Sequence, residues 1–250
     1  TFNNKQMKKI LFIAFVSLTI ACKQTSKKKI TTTQAPPAKK EWLDLFDGVS
    51  FQGWHQFNSS KMSDAWTIED GAMVLPDGTG NGKGNDIVTD NEYTNFELSI
   101  EWKIVEGGNS GIFWGVKEEE GYGTPYQTGP EIQVIDNMGH PDSFVKPNFH
   151  QAGALYDIVQ PKQNVCNPAG EWNHFLININ HKTNTGFVKL NGEEIVTFPL
   201  GGPEWYSLVS NSKFAKDDEF VDFGKFKTGK IGLQDHGDGV RYRKIKIREL

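Results

Sequence analysis

The sequence predicts an all-β domain in which two antiparallel sheets pack face to face. Apolar and polar residues alternate in many short runs, which is typical of strands with one buried and one wet face. Glycine-containing turns separate these runs. No stretch shows a long helical period, and only residues 204–217 suggest a short helix. Many short strands joined by tight turns indicate an antiparallel sandwich.

The first strands follow from turn chemistry and alternation. Residues 66–75 predict a hairpin, because the Asp70-Gly71 pair suits a type I′ turn. In residues 95–104 every second position is apolar and the positions between are polar, which predicts a half-buried strand. Residues 109–116 are predicted as the next strand.

The second half of the chain repeats this pattern. Residues 187–198 predict another hairpin, which turns at the Asn191-Gly192 pair. Single strands are predicted at 129–136, 172–181, 229–236 and 240–247. If the two sheets are curved, one face makes the core and a concave face stays polar but sheltered. Such a face commonly binds carbohydrate, since sugars offer hydroxyls to amides and carboxylates and apolar ring faces to aromatic side chains.

The first 40 residues predict an export signal and a tether. Met7 and two lysines precede an apolar run at 10–20 that is too short to span a bilayer comfortably. Cys22 follows a small residue at the end of this run, which is typical of a bacterial lipobox, where the chain is cut before the cysteine and the cysteine is lipidated. The alternative is a plain secretory signal with a chance cysteine.

We therefore expect a signal peptide at 1–22, a flexible linker at 23–40 and one folded domain at 41–250. The linker is rich in Lys, Thr, Gln and Pro and cannot bury a core. These features predict a lipid-anchored protein of the bacterial cell envelope. Because Lys23 differs from the Asp-type inner-membrane retention signal, we expect the outer membrane.

Charge and cysteine content exclude some classes of protein. The formal net charge of −4 argues against nucleic-acid binding, which needs a basic face. The chain has 2 Cys, so lipidation of Cys22 leaves Cys166 without a disulfide partner. The core is then expected to hold without a covalent cross-link.

The stretch 129–142 is the strongest candidate site. Alternation along a strand places Glu131 and Gln133 on one face, while the apolar Ile132 and Val134 point to the opposite face. This predicts a polar pair that binds sugar hydroxyls, with Glu131 as an acid or base; the alternative is a satisfied polar pair at a sheet edge. The loop that follows adds three candidates, Asp136, Asn137 and His140.

The alternatives for these three residues are structural. Asp136 and Asn137 lie where the strand becomes loop, and both residue types bond their own backbone in turns. His140 precedes a proline, and a histidine in a loop is commonly exposed to solvent. A metal site around this loop lacks a diagnostic ligand spacing, so no metal or other cofactor is predicted.

The last two predicted strands add further candidates. Gln234 and His236 alternate with apolar residues and should face the same way as each other, although a turn role is the alternative for His236. Arg243 falls in line with Ile245 and Ile247, so it is either paired in the interior or reaches into a cleft.

Two aromatic side chains complete the candidate set. Tyr156 and Trp114 are candidate stacking surfaces for a sugar ring, and core packing is an equally good interpretation for both.

Six spaced motifs point to one protein family. Their order is Asn109-Ser-Gly-Ile-Phe, Gly129-Pro-Glu-Ile-Gln-Val-Ile-Asp-Asn, Ala152-Gly-Ala-Leu-Tyr-Asp157, Gly170-Glu-Trp-Asn-His174, Leu190-Asn-Gly192 and Gly229-Lys-Ile-Gly-Leu-Gln-Asp-His236. This pattern, with Arg243 and the ending 248–250, resembles the 3-keto-disaccharide hydrolase family over essentially all of 42–250. The resemblance implies a concanavalin A-like jelly-roll β-sandwich and activity on 3-keto sugars or related glycosides.

A ketone at C3 of a sugar makes the C2 hydrogen acidic, because the carbanion delocalises into an enolate. Cleavage at C1 then needs a base near C2, a donor for the enolate oxygen and an acid for the leaving oxygen. We expect Glu131 or His236 as acid or base and Arg243 or Gln234 at the enolate. The rival interpretations are a lectin-like module that binds glycans without cleaving them and a structural envelope domain.

Overall fold

The computed structural model describes residues 40–78 and 84–250, which fall within one compact unit, Lys39–Leu250. The predicted signal segment, Cys22 and all but the last residue of the predicted linker lie outside these residues. The strands are β1 (Leu43–Asp44), β2 (Trp54–Gln56), β3 (Thr67–Glu69), β4 (Ala72–Leu75), β5 (Ile87–Thr89), β6 (Phe96–Ile104), β7 (Asn109–Val116), β8 (Glu131–Ile135), β9 (Asn173–Asn180), β10 (Thr185–Leu190), β11 (Glu193–Phe198), β12 (Lys230–Leu233) and β13 (Val240–Glu249).

The helical segments are short. The α-helix α1 spans Gly202–Ser210, within and just before the region where the sequence suggested a helix. Four 3-10 helices lie at Pro125–Gln127, Pro141–Phe144, Lys213–Ala215 and Asp218–Phe220. None of the helices in the described part of the chain is long and apolar enough to cross a membrane.

The strands form two sheets, and every pairing within them is antiparallel. The 8-stranded sheet has the order β11-β10-β9-β6-β13-β4-β3, with β1 beside β13, and the 5-stranded sheet has the order β2-β5-β12-β7-β8. The chain passes repeatedly from one sheet to the other, for example from β4 to β5 to β6, which gives a jelly-roll arrangement. The predicted all-β sandwich of two antiparallel sheets is confirmed.

The core lies between the two sheets. In β6 the predicted alternation is confirmed, since the apolar residues are buried and the polar residues between them are half-buried. The smaller sheet contributes Ile132 and Val134 of β8, both fully buried. Burying a side chain of this size stabilises the fold by about 1.5–3 kcal/mol. The face of β8 on the other side is therefore free to build a site.

Both predicted hairpin turns have the expected backbone. Asp70 and Gly71 have φ of 50° and 73°, and Asn191 and Gly192 have φ of 51° and 93°. A type I′ turn requires positive φ at both central residues, which is why Asn or Asp followed by Gly is favoured there. These turns pair β3 with β4 and β10 with β11.

The last strand contains a β-bulge that the sequence pattern did not indicate. The pairing of β13 with β6 shifts register between Arg243 and Lys246, and Lys244 has a φ of 49°. The bulge changes the parity of the strand, so Tyr242 is buried with Ile245 while Arg243 is not. The prediction that Arg243 shares a side with the core isoleucines is therefore wrong.

Candidate functional site

A polar cavity of about 830 Å³ lies on the face of the smaller sheet that is turned away from the core. Strand β8 supplies Glu131 and Gln133, which share this face as predicted, and the residues directly after β12 supply another wall. Loops 123–126 and 213–220 close the sides. The main polar lining residues are Asp86, Asn109, Glu131, Gln133, Tyr156, Lys213, Gln234, Asp235 and His236.

The carboxyl group of Glu131 is buried and unpaired. Its side chain lies directly over Gly111 of β7, where a Cβ atom would overlap the carboxylate. No other described residue forms a hydrogen bond with this carboxylate. Burial raises its pKa to about 8, with the nearby charges of Asp86 and Asp142 acting in the same direction and Lys213 opposing them. A carboxyl group in this state can take up or release a proton near neutral pH.

Asp86 is a second buried carboxyl group in the same cavity. Burial raises its pKa to about 7, and the charge of Asp235 raises it further against a hydrogen bond from the Asp235 backbone N–H at 3.0 Å. Asp235 itself is held by Asn85 Nδ2 at 2.8 Å and by the Gly237 N–H at 2.8 Å. Sequence reasoning missed Asp86, because a lone Asp before a three-residue strand looks like an ordinary loop residue.

Two glutamine side chains in the cavity have unused acceptors. Gln133 Nε2 donates to Asn109 Oδ1 at 3.0 Å, which leaves Gln133 Oε1 without a partner in the described structure. The Oε1 atom of Gln234 is likewise buried and unpartnered among the described residues. A buried acceptor without a partner costs about 1–3 kcal/mol. A ligand hydroxyl that donates to these atoms would remove that cost.

Tyr156 and Lys213 line the cavity next to Glu131. The Tyr156 hydroxyl donates to Asp142 Oδ2 at 2.9 Å, and Lys213 Nζ lies 4.3 Å from the centre of the tyrosine ring. Burial raises the pKa of Tyr156, and the charges of Glu131 and Asp142 raise it further. Tyr156 therefore stays a neutral phenol, while Lys213 places a positive charge near Glu131. Sequence reasoning did not single out Lys213.

The two candidate histidines meet at one edge of the cavity. His236 lines the cavity and is exposed, and its ring centre is 5.8 Å from that of His140 in an edge-on contact. His140 does not line the cavity. Its Nδ1 accepts a hydrogen bond from the Asp142 N–H at 3.1 Å. Burial lowers the pKa of His140 and the neighbouring His236 lowers it further. The neutral ring therefore carries its proton on Nε2.

Among the residues that the structure describes, one group of side chains could hold a metal ion. The ligand atoms of His140, His236 and Asp238 all lie within 4.8 Å of one another. Two of them already accept backbone hydrogen bonds, since Asn109 N–H donates to Asp238 Oδ2 at 3.0 Å and Asp142 N–H donates to His140 Nδ1. A metal at His140 Nε2 would displace the proton that this tautomer carries there, so the hydrogen bonding disfavours this trio as a metal centre.

Asp136 and Asn137 lie outside the cavity and bond backbone groups. Asp136 accepts from the Gly107 N–H at 2.9 Å and the Met138 N–H at 3.1 Å, and Asn137 Oδ1 accepts from the Ala152 N–H at 2.8 Å. The contact with Met138 is the turn chemistry that the sequence left as the alternative, and the contacts with Gly107 and Ala152 tie this loop to two other segments. The prediction that they join Glu131 in one site is corrected.

Trp114 and Arg243 also lie away from the cavity. Trp114 is buried in the core, where its ring stacks on Phe198 with 5.7 Å between centroids. Arg243 donates from Nε to Glu101 at 2.7 Å, and its guanidinium lies 3.8 Å from the centre of the Trp172 ring. The prediction that these two residues contact substrate is therefore wrong. Trp114 packs in the core, and the bulge in β13 turns Arg243 toward Glu101.

Comparisons with known proteins show the family to which this chain belongs. A family model described as a 3-keto-alpha-glucoside-1,2-lyase-like domain matches residues 41–248. A relative from Bacteroides thetaiotaomicron named 3-keto-disaccharide hydrolase is 33% identical over an alignment of 249 positions, and the alignment covers 91% of this chain and 85% of the relative.

Two crystal structures from Parabacteroides distasonis, both described as glycosyl hydrolases, share the fold. The first is 34% identical to this chain and has a TM-score of 0.74. The alignment covers 84% of this chain and 94% of the chain in that crystal structure. The second is 25% identical to this chain and has a TM-score of 0.62. The alignment covers 84% of this chain and 100% of the chain in that crystal structure. The chain belongs to the family of 3-keto-α-glucoside-1,2-lyase-like domains.

Proposed function

We propose that this glycoside-cleaving enzyme acts on 3-keto-glycosides and that Glu131 removes the proton from C2 of the sugar. The observation that carries the proposal is a buried, unpaired carboxyl group with a pKa of about 8 inside a polar cavity. The family description and the name of the relative from Bacteroides thetaiotaomicron support a 3-keto substrate. Carboxyl groups tuned in this way are typical of general bases.

Proton removal is the first step of the proposed reaction. The C3 ketone makes the C2–H acidic, and Glu131 takes the proton while the electron pair moves into a C2–C3 enolate. Burial makes this carboxylate a stronger base than an exposed one, because it raises the pKa of the conjugate acid. The Lys213 ammonium group, which lines the cavity near Glu131, stabilises the negative charge that develops on the enolate.

Bond cleavage is the second step. The C3 ketone re-forms, a C1–C2 double bond forms, and the C1–O bond breaks with its electron pair on the leaving oxygen. Asp86 donates a proton to that oxygen, for which a pKa of about 7 is suitable. Addition of water to C1 and return of a proton to C2 then complete a hydrolysis. Elimination alone ends at the unsaturated ketone.

The cavity also fits a sugar as a ligand. The free Oε1 atoms of Gln133 and Gln234 accept hydrogen bonds from two hydroxyl groups of the sugar. His236 lies at the accessible edge, where it contacts the part of the substrate that leaves. This arrangement accounts for binding through amides and for chemistry through carboxyl groups.

The experiment separates the two steps. A 3-keto-disaccharide in D₂O is followed by NMR, which reports exchange of the C2 hydrogen and release of the monosaccharide. We expect Glu131→Gln to lose both signals by about 10²–10⁴-fold, and Asp86→Asn to keep exchange but release product slowly. Glu171→Gln, an exposed carboxylate outside the cavity, is the matched control.

Three outcomes contradict the proposal. Wild-type exchange of C2–H in Glu131→Gln would remove the base assignment. Fast product release in Asp86→Asn would remove the acid assignment. Binding of the disaccharide by the wild-type protein without cleavage would favour a lectin-like module instead.

We also propose that the domain is held at the bacterial cell envelope, in the outer membrane, by a lipid on Cys22. The support is the sequence itself: a basic start at Met7, an apolar run at 10–20 and a cysteine directly after a small residue. A linker at 23–40 would then separate the cavity from the membrane surface.

A further inference from the structure

A cluster of charged side chains lies beside the cavity, and at its centre is a buried histidine that the sequence did not single out. His150 is 5% exposed. Its Nδ1 lies 3.0 Å from Asp142 Oδ1, and its Nε2 lies 3.0 Å from Asp157 Oδ1. A neutral imidazole can donate only one hydrogen bond, whereas imidazolium donates two. With a carboxylate at each nitrogen, His150 is the charged form. Burial lowers its pKa, but the hydrogen bonds that it donates to Asp157 and Asp142 outweigh burial and raise the pKa.

The cluster closes into a ring through two residues of the cavity wall. Asp142 Oδ2 accepts from the Tyr156 hydroxyl at 2.9 Å, and Asp157 Oδ2 accepts from the Lys213 backbone N–H at 2.6 Å. The Lys213 Nζ then lies 4.3 Å from the centre of the Tyr156 ring, whose other neighbour is the His150 ring at 4.3 Å. Each member of the ring contacts at least two others.

Two members of the ring, Lys213 and Asp142, act on the carboxyl group of Glu131. Within the ring His150 and Lys213 are cations and Asp142 and Asp157 are anions, and Lys146 outside the ring also pairs with Asp157. Tyr156 is also tied to the catalytic strand, because its backbone N–H donates to the Glu131 carbonyl at 3.0 Å. Among the members of the ring, Lys213 favours ionisation of the Glu131 carboxyl, while Asp142 opposes it.

We propose that His150 is a positioning residue, which fixes Tyr156 and Lys213 around Glu131 and so sets how strongly that carboxyl group holds its proton. The proposal rests on the proposed function only for its effect on the rate of cleavage. The proton affinity of the Glu131 carboxyl group can be measured whether or not the substrate is a 3-keto-glycoside. The proposal also explains why a charged histidine is kept in a buried position, where an unpaired charge is costly.

The charges around Glu131 and His150 determine whether loss of His150 should raise or lower the pKa of Glu131. Asp86, Asp142 and Lys213 act on Glu131, and Asp142 and Asp157 face His150. The other charged or titratable residues that line the cavity are Lys216, Asp217, Glu219, Asp235 and His236. Removing the His150 cation leaves both aspartates without their shared partner, which makes the surroundings of Glu131 more negative. Loss of positive charge near a carboxyl group makes its proton harder to remove.

The test measures the Glu131 carboxyl directly. The ¹³C signal of its Cδ atom is followed against pH by NMR and assigned by its loss in Glu131→Gln. We expect His150→Gln to raise the titration midpoint by about half a pH unit or more. Lys146→Met is the matched control, because Lys146 Nζ pairs with Asp157 at 3.1 Å from a more exposed position and does not contact Tyr156. We expect it to leave the midpoint unchanged.

A second variant should shift the titration midpoint of Glu131 in the opposite direction. Asp142→Asn removes a negative charge that acts on Glu131 and keeps the shape of the side chain, so the midpoint should fall. If His150→Gln does not fold, His150→Asn carries the test, because it removes the same cation. An unchanged midpoint in folded His150→Gln or in Asp142→Asn overturns the proposal, and so does an equal rise in Lys146→Met.

The two proposals fail in different ways. If the midpoints move as expected but the wild-type protein cleaves no 3-keto-glycoside, the proposed reaction is wrong and the positioning role stands. If Glu131→Gln is inactive and the midpoints do not move, the reaction stands and the positioning role is wrong.

Discussion

Glu131 is the site residue that the pattern of side chains along a strand identifies most directly. Alternation places it with Gln133 on a polar face opposite two core residues, and the structure confirms that placement. The residues that tune it could not be predicted in the same way. Asp86 lies on a loop and Lys213 begins a short 3-10 helix, both distant in sequence from Glu131, and only the fold brings their charges to its carboxyl group.

The two buried carboxyl groups predict a specific pH profile. The active form has Glu131 ionised, so activity rises with pH through the pKa of the base, and Asp86 protonated, so activity falls with pH through the pKa of the acid. With values of about 8 and about 7, the profile of kcat/KM is bell-shaped with limbs near these two values. These limbs belong to the interacting pair as a whole, and only a minority of molecules is active at the maximum.

Asp86→Asn provides the check on this profile. Without the titrating acid, kcat/KM should rise to a plateau at high pH instead of falling. The midpoint of the single limb should lie somewhat below about 8, because the Asp86 charge no longer raises the pKa of Glu131. Steady-state rates between about pH 5 and pH 10 decide the matter, and a descending limb that persists in this variant contradicts the assignment.

At the scale of strands, the sequence pattern was reliable where alternation was unbroken and failed at the bulge. Strand β6 alternates without interruption, and both faces came out as predicted. In β13 the extra residue near Lys244 reversed the parity, so Arg243 was assigned to the wrong side. A bulge changes the backbone without a clear mark in side-chain polarity, since a positive φ at a lysine is rare.

The close approach of β7 to β8 predicts the effect of one added methyl group. Gly111→Ala places a Cβ where the Glu131 carboxylate now lies, so the carboxylate must move. A displacement of about 1 Å in a catalytic group can reduce the rate by about 10²-fold. We expect kcat to fall by roughly that factor, with a loss of about 1–3 kcal/mol in the free energy of unfolding.

Gly192→Ala is the matched control for this variant. Its Cβ meets nothing within 4 Å, but a φ of 93° strains any residue with a side chain. It should therefore lower the free energy of unfolding by about 1 kcal/mol and leave kcat unchanged. Kinetics and denaturant unfolding of both variants provide the comparison. A Gly111→Ala enzyme with wild-type kcat would show that the carboxylate position is not critical.

For the whole molecule, the family resemblance predicted the topology of the fold, which the periodicity of the sequence could not. Alternation and turns predicted a sandwich, but the order of the strands in each sheet depends on long-range pairing, such as β6 between β9 and β13. The jelly-roll topology was predicted from the family that the six motifs resemble. Even so, they did not separate site residues from framework residues, because Asp136, Asn137 and Trp114 occur in or next to the same motifs and serve the loops and the core.

The predicted lipid anchor gives a test at this scale. Lipidation would add a long acyl chain to Cys22, and each buried CH₂ favours the membrane by about 0.8 kcal/mol. When the full chain is expressed in a bacterium with radiolabelled palmitate, we expect label in the wild-type protein and recovery with outer-membrane fragments. Cys22→Ser should carry no label. Cys166→Ser is the control and should be labelled like the wild type, since Cys166 lies in the folded domain. Equal labelling of Cys22→Ser would contradict the lipobox interpretation and favour a plain secretory signal.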